Sequence, residues 1–418
     1  MKLYQKKELI ESLKIEVLDF QALKKYAAEG FLKLAISFGL QIFRLMMEEE
    51  ATEMAGPKGK HISDRTAYRH GTEKTQIVLG GAKITTARLR VRDIDGNEMH
   101  FETLDIFQNE DSLNETILER IVSGVSTRKY ERVLDFTNED ISGASKSAVS
   151  RRFAKAIETH MDEFFSRSLK GRYPIMLIDS IHVGGLNVVA AMGIDNSGYK
   201  QILGIRKGEV EDSETVKALF DDLIDRGLDV NEPRLYVIDG AKALRKAIKD
   251  KFGSSALIQR CQVHKKRNVL SYLPETEQDT ISIAMTNAYN QLDYKDAKAA
   301  LMRIHRNLKH RHPEAANSLM EGMEETLTVH RLKVPRLLRQ TLLSTNAIES
   351  ANSVCKSIIK RVSRFRSSGD VIRHAAAGFM EAEKGFRRVK GYKQIPVLQS
   401  ALAQETGVRN NPIKQVSA

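Results

Sequence analysis

Pro174-Ile-Met-Leu-Ile-Asp179-Ser180 and Leu235-Tyr-Val-Ile-Asp239-Gly240 are two short apolar runs, each ending in an aspartate followed by a small residue. Runs of this length bounded by turn-forming residues are the pattern of strands buried on both faces, which belong to a sheet covered by helices. Leu186 to Gly193 and Tyr199 to Arg206 read as two more strands, joined at Asp195-Asn-Ser-Gly198, a hairpin turn by composition. Ser213 to Arg226, with Val216, Leu219, Phe220 and Leu223 on one face, reads as a helix, and so does Ala241 to Phe252. From Arg172 the chain is therefore α/β, and after Ala256-Leu-Ile258 an all-helical tract runs to about Arg339.

In an α/β sheet, ligands gather at strand ends, and a small residue after each Asp leaves room for an incoming group. Two such carboxylates on adjacent strands, joined by a third, make the oxygen-rich cluster that holds hard divalent cations for phosphoryl transfer. Glu349, in Ser344-Thr-Asn-Ala-Ile-Glu349, is the candidate third ligand. Asn346-x-x-Glu349 is also a capping-box spacing, in which the carboxylate would serve only the helix start. The helix it opens has an apolar stripe of Ile348, Ala351, Cys355, Ile358 and Val362, and a polar one of Glu349, Asn352, Ser353, Lys356 and Lys360. Asp195, Asp212 and Glu214 read as ordinary turn and helix-start acids.

Upstream, residues 1–56 carry helical periodicity that breaks at Gly56-Pro57-Lys58-Gly59. From Gln76 to Phe101 the texture alternates, with Asp95-Gly96 as a turn, so a short β element is expected. Glu115 to Val122 and Lys146 to Ile157 flank a connection around Ser142-Gly143, and Ser145 or Ser147 would cap the second helix. Lys146, Arg151, Arg152 and Lys155 near that helix's start fit a helix-turn-helix unit reading a major groove, although basic amphipathic helices also pack on cores.

The chain has 418 residues, 41% hydrophobic and 29% charged, which excludes a disordered or fibrous protein. Two cysteines cannot build a disulfide framework, so a reducing compartment is expected. The opening Lys2, Lys6 and Lys7 lead into mixed polar sequence, unlike a secretory leader, and Leu32 to Met47 is too short and too interrupted to span a membrane. The net charge is +12, and from Arg331 onward 17 Lys/Arg stand against 5 Asp/Glu, which accounts for all of it. A basic segment of this kind points to a polyanion, nucleic acid first, against the plainer reading of a solvated surface.

Together, Asp179, Asp239-Gly240, Gln259-Arg-Cys261-Gln-Val-His264-Lys-Lys-Arg267-Asn268 and Ser344-Thr-Asn-Ala-Ile-Glu349-Ser-Ala-Asn352 resemble the Mutator-like bacterial transposases. Gly124-Val-Ser-Thr-Arg128 and Ser147-Ala-Val-Ser150 resemble the helical region those proteins carry upstream, so the likeness runs from about Tyr68 to Phe386. The resemblance implies a ribonuclease-H-like catalytic core with an all-helical insertion, preceded by a helix-turn-helix-like DNA-binding region and a small β element. It implies an Asp179–Asp239–Glu349 triad holding two Mg²⁺ (or Mn²⁺) ions. The implied activity is cleavage at an element's terminal inverted repeats and joining of the freed 3′ ends to target DNA, in a homodimer or larger synaptic assembly in the bacterial cytoplasm. The chain has no Trp and shows Val91-Arg92-Asp93 where the family often has Pro-Arg-Asp. The expected division is 1–70 helical, 71–112 β, 113–170 DNA-binding, 171–262 core, 263–340 insertion and 341–418 core completion with a basic tail.

Lys265, Lys266 and Arg267, with Lys356, Lys360, Arg361, Arg364 and Arg366, are the further expected phosphate contacts. Cys261 and His264 form a motif of open role: zinc ligands with His305, His310 or His312, packing residues, or residues with a DNA or active-site role. Two other functions stay open on sequence alone, a catalytically silent DNA-binding regulator and a nuclease that hydrolyses without joining.

Overall fold

The computed structural model describes residues 31–60, 62, 64–123, 125, 130, 141–142, 144–183, 185–208, 212–360, 362, 365 and 367–407, in two compact units, Met1–Glu158 and Thr159–Ala418. No helix among the described residues is long and apolar enough to cross a membrane.

In the first unit, helix α1 (Phe31–Ala55) buries Leu40, Phe43, Met47 and Ala51 in a cluster with Ile77, Ile84 and Val91 of a hairpin, β1 (Ala67–Leu79) and β2 (Ala82–Asp93). Gly80 and Gly81 make the two-residue turn, at φ 56° and 79°, the left-handed geometry that matches strand twist. The hairpin thus begins nine residues before Gln76, where the sequence pattern placed it. Residues 70–74 are exposed throughout, so no alternation marks them. Asp95-Gly96 turns the chain after β2, with Asp93 Oδ1 accepting from the amides of Asp95 and Asn97. Beyond it lie α2 (Glu102–Phe107), α3 (Glu110–Val122), a short β3 (Ile141–Ser142) beside β2, and the start of α4 (Lys146–Ser166), whose residues from Thr159 on count with the second unit. Ser145 caps α4, its Oγ accepting from the Ala148 amide at 3.4 Å. Residues 1–30, Gly124, Ser126 to Arg128 and Gly143 lie outside the described residues.

The second unit is built on a five-stranded mixed sheet in the order β6-β5-β4-β7-β8: Lys200–Gly208, Leu186–Ile194, Ile175–Val183, Arg234–Ile238 and Ala256–Arg260. The Asp195–Gly198 hairpin joins β5 to β6 as composition indicated, Asp195 Oδ1 accepting from the amides of Ser197 and Tyr199. β4 is antiparallel to β5 but parallel to β7, with Ile175 opposite Leu235 and Leu177 opposite Val237. Side chains alternate across this sheet. Met176, Ile178, Tyr236 and Ile238 pack with α5 (Ser213–Asp225) and α6 (Lys242–Phe252). Ile175, Leu177, Ile181, Val183, Leu235 and Val237 take the other face.

After β8 come α7 (Gln262–Leu270), α8 (Glu275–Tyr289), α9 (Tyr294–Lys309), α10 (Pro313–Met320) and α11 (Met323–Thr326), which share a core of their own. The chain then passes through α12 (Thr328–Arg331) and α13 (Arg336–Leu342) to α14 (Asn346–Ile359), α15 (Ser368–Lys384) and α16 (Ile395–Thr406). Helices α13 to α16 cover the odd-numbered face of β4, and Ile348, Ala351 and Cys355 of α14 are buried there. A Cβ on Gly378 of α15 would lie 2.7 Å from the Cys355 Cα, so these two helices meet at backbone distance. Gly378→Val should therefore force α14 and α15 apart and lower stability by about 1–3 kcal/mol in urea unfolding. An unchanged midpoint would show that the helices part without cost.

Candidate active site

Strand geometry assembles this site. β4 and β7 run in parallel with a constant offset of 60 residues, from Ile175–Leu235 to Leu177–Val237. Continued two residues further, that offset sets Asp179 beside Asp239, both on the odd-numbered face under α14. β8 follows the same row: Ile238 pairs with Arg260, and the Cys261 amide donates to Ile238 O at 2.7 Å, placing Cys261 next to Asp239.

Asp179 does not end its strand. β4 continues to Val183, alternating Ser180 and His182 outward with Ile181 and Val183 inward, so the carboxylate sits mid-strand. Asp239 does follow the last residue of β7, and its Oδ1 accepts from the Ala241 amide at 2.8 Å. Gly240 has a backbone reason to be small. Its φ is +108°, and a Cβ there would lie 2.0 Å from Arg260 Nε, so the guanidinium and not a ligand fills the space beside it.

Helix α14 brings the third carboxylate. Asn346 is its first residue and Thr345 its N-cap, with no side-chain cap bond, so Glu349 does not close a capping box. Its Oε1 instead accepts from the Thr345 hydroxyl and lies 3.7 Å from His264 Nδ1. One turn on, Asn352 is only 4% exposed, and its Nδ2 donates to Asp179 Oδ2 at 2.7 Å. Sequence reasoning placed Asn352 on the polar stripe and gave it no role. Spacing of three residues from Glu349, on the face of α14 turned to the sheet, was the available signal.

Burial, the charge on Asp239 and, more weakly, that on Glu349 push the Asp179 carboxyl up to about 6. A carboxylate crowded in this way by two others, all offering oxygen alone, fits a hard divalent cation, which would relieve the repulsion on Asp179. Cys261 is fully buried; burial raises its thiol, but hydrogen bonds from His264 and Thr345 outweigh this and hold it below the usual range. The bond to Cys261 raises the His264 imidazole. Ligand atoms of Cys261, His264 and Glu349 lie within 4.8 Å of one another, the one group of three that close among the described residues, and Asp179 and Asp239 are not part of it. His305, His310 and His312 do not belong to it, and His312 turns to Glu277 at 3.3 Å.

The expected phosphate contacts separate by exposure. Lys265 is not one of them: it is fully buried, its Nζ bonds the carbonyls of Ser318 and Glu321, and burial pushes it down to about 8. Gln259, Arg260 and Gln262 bond the carbonyls of Thr326 and Glu321 in the same way, so this stretch fastens the helical tract to the sheet edge. Arg267, Lys356 and Lys360 are exposed and Lys266 half-buried. In the first unit Lys146 and Arg151 are exposed, while Arg152 bonds Asn114 and Lys155 lies 4.0 Å from Asp111. Arg361, Arg364 and Arg366 lie outside the described residues.

Because folding raises the Asp179 pKa above its unfolded value of about 3.9, the charged carboxylate destabilises the metal-free fold. The penalty grows as pH rises from about 4 and is complete above about 6. Asp179→Asn, which can keep the Asn352 bond, should add about 2 kcal/mol in metal-free protein near pH 8 and almost nothing near pH 4. Equal melting shifts at both pH values would contradict this.

The sequence pattern of the Mutator family of transposases matches residues 7–389. The transposase for insertion sequence element ISRM5 of Rhizobium meliloti (strain 1021) is 28% identical over 362 residues, 84% of this chain and 88% of that protein. The transposase for insertion sequence element IS256 in transposon Tn4001 of Staphylococcus aureus is 28% identical over 74% of this chain and 80% of its own. That for IS1081 of Mycobacterium tuberculosis (strain ATCC 25618 / H37Rv) is 26% identical over 88% and 89%. With the family pattern running through both units and across the row of Asp179, Asp239 and the Glu349 helix, the chain belongs to the Mutator family of transposases.

Proposed function

We propose that the chain cuts DNA at the terminal inverted repeats of an insertion element and joins the freed ends to a target, using Asp179, Asp239 and Glu349. The observation that carries this reading is the register that sets Asp179 and Asp239 side by side under the helix bearing Glu349. The strand order β6-β5-β4-β7-β8, with the first three strands antiparallel and the last two parallel to β4, supports a ribonuclease-H-like core. The helices α7 to α11 between Gln262 and Thr326, with their separate core, support the helical insertion of that reading.

The three carboxylates would hold Mg²⁺ or Mn²⁺, two per site, and the ions supply activation of an attacking water or 3′-hydroxyl and stabilisation of the leaving oxygen. The chain's own residues do the orienting. Asn352 fixes one oxygen of Asp179, the Ala241 amide fixes one of Asp239, and Thr345 fixes one of Glu349. Lys356 and Lys360, exposed on the helix that carries Glu349, would draw the phosphate backbone to the site. In the first unit, α3 and α4 with Lys146 and Arg151 outward support a helix-turn-helix-like reading of repeat DNA. Bringing two element ends together calls for a dimer or larger assembly acting on double-stranded DNA in the cytoplasm.

Asp179→Ala should shift a terminal-repeat duplex in a gel as the parent does, yet give no nicked product in Mg²⁺ or Mn²⁺. Cleavage by that variant would overturn the carboxylate reading, and a parent that only shifts the duplex would make the chain a silent regulator. Products joined to a target plasmid separate a transposase from a hydrolysing nuclease.

Neutralising Arg361, Arg364 and Arg366 together should flatten the slope of log affinity against log salt by up to about 3, near 0.9 per lost phosphate contact. An unchanged slope would return that segment to a solvated surface.

A further inference from the structure

The Cys-x-x-His motif has no role in the carboxylate chemistry described above, yet the fold sets it against that chemistry. Cys261 is tied to β7 through Ile238 O, on the row of Asp239, and α7 starts immediately after it. His264 therefore falls in the first turn of α7, close above the strand ends. The Gln262 amide donates to Leu343 O at 2.8 Å, which draws the approach to α14 against the same turn. Thr345 is completely buried between them. Its hydroxyl donates to Glu349 Oε1, its Oγ1 lies 3.4 Å from His264 Nδ1, and that nitrogen is 3.7 Å from the same carboxylate oxygen.

We propose that Cys261, His264 and Thr345 are positioning residues for Glu349: His264 and Thr345 hold its Oε1 from the protein side, and Cys261 holds His264. The inference rests on the reading of Glu349 as a metal ligand. Helix α14 is anchored by its apolar face, but a glutamate side chain has three rotatable bonds and would sweep a wide arc from that anchor. A carboxylate with one oxygen held presents the other in a fixed direction. The half-buried imidazole and buried hydroxyl meet this oxygen from two elements, α7 and the cap of α14, so neither helix can shift without releasing it. The thiol serves as a small buried anchor whose backbone the sheet already fixes. Sulfur, imidazole and carboxylate within 4.8 Å of one another could also grip zinc, which is the competing outcome of the test.

The test uses the full chain with His264→Ala, His264→Asn, Thr345→Val and Cys261→Ser, and Glu349→Gln as control. Mn²⁺ binding is followed through the free-ion electron paramagnetic resonance signal without DNA, and cleavage of a terminal-repeat duplex is titrated with Mn²⁺. His264→Ala and Thr345→Val should weaken Mn²⁺ binding about 10–100-fold and raise half-saturation of cleavage in parallel, with the gel shift unchanged. His264→Asn, whose amide nitrogen overlays Nδ1, should recover most of the loss. A purely structural role would lower the active fraction and leave half-saturation where it was, and that result overturns the proposal. So does a cobalt–thiolate absorption in the parent that Cys261→Ser abolishes, since the pair would then be metal ligands. If His264→Ala does not fold, Thr345→Val alone decides by the same criterion. Unaltered Mn²⁺ binding by Glu349→Gln would instead sink the underlying reading, whatever the other variants do.

Discussion

The interaction on which the second unit depends is the parallel pairing of β4 and β7 at a fixed offset of 60 residues. Parallel strands keep side-chain alternation in phase, so one register decides both that Asp179 and Asp239 are neighbours and that they share a face. A slip of one residue would send one carboxylate under α5 and α6, into the wholly apolar cluster around Tyr236 and Phe220. Met176, Ile178, Tyr236 and Ile238 on that side, and Ile175, Leu177, Leu235 and Val237 on the other, are all apolar, so it is the carboxylate that makes such a slip costly.

This arrangement has a cost, visible in the Asp179 carboxyl at about 6. Burial of the carboxylate first, and the like charge beside it second, oppose folding, and the surroundings are organised to hold it there regardless. Cys355 and Gly378 meet at backbone distance, which seats α14 on the sheet at the height of the carboxylates. Arg260 fills the space beside Gly240 and bonds the Glu321 carbonyl, coupling the turn after Asp239 to the helical tract. Gln259, Gln262 and Lys265 complete that coupling through carbonyls at the ends of α10 and α11. The Thr326 and Glu321 carbonyls each have two such donors, whereas the loss of Lys265 would leave the Ser318 carbonyl, and the loss of Gln259 the Val329 amide, without that partner at about 1–3 kcal/mol.

Much of this was legible beforehand where the physical signal is local. Buried strands, the Asp195 hairpin, the Asp212 cap and the apolar stripe of α14 follow from alternation, turn chemistry and helical period. Residues 67–75 escaped because both of their faces are largely wet, and the tail of β4 escaped because a carboxylate in mid-strand resembles a strand end. Lys265 escaped for a different reason. A lysine between Lys266 and His264 looks like part of a basic patch, but the first turn of α7 points it at the C-terminal end of α10, where unpaired carbonyls make a cation welcome. Asn352 and Thr345 needed the third dimension outright. Their partners, Asp179 and His264, are 173 and 81 residues away in the chain.

The fate of Lys265 also bears on how the net charge of +12 should be read. Counting charge treats every Lys and Arg as equally available to a polyanion, whereas folding spends some of them inside. Lys265, Arg260 and Arg339 are buried against backbone carbonyls, and Arg373 is paired with Asp370. The useful charge is therefore smaller than the formal one and unevenly placed. Lys356 lies two turns beyond Glu349 on the same polar stripe of α14, and Lys360 caps that helix one turn further on. On the proposed function this one helix would meet a phosphate backbone with cations and a divalent ion with oxygens, two opposite electrostatic tasks divided along its length. The close seating of α14 on α15 then matters to both, because any tilt that opened the carboxylate side would also redirect the lysines.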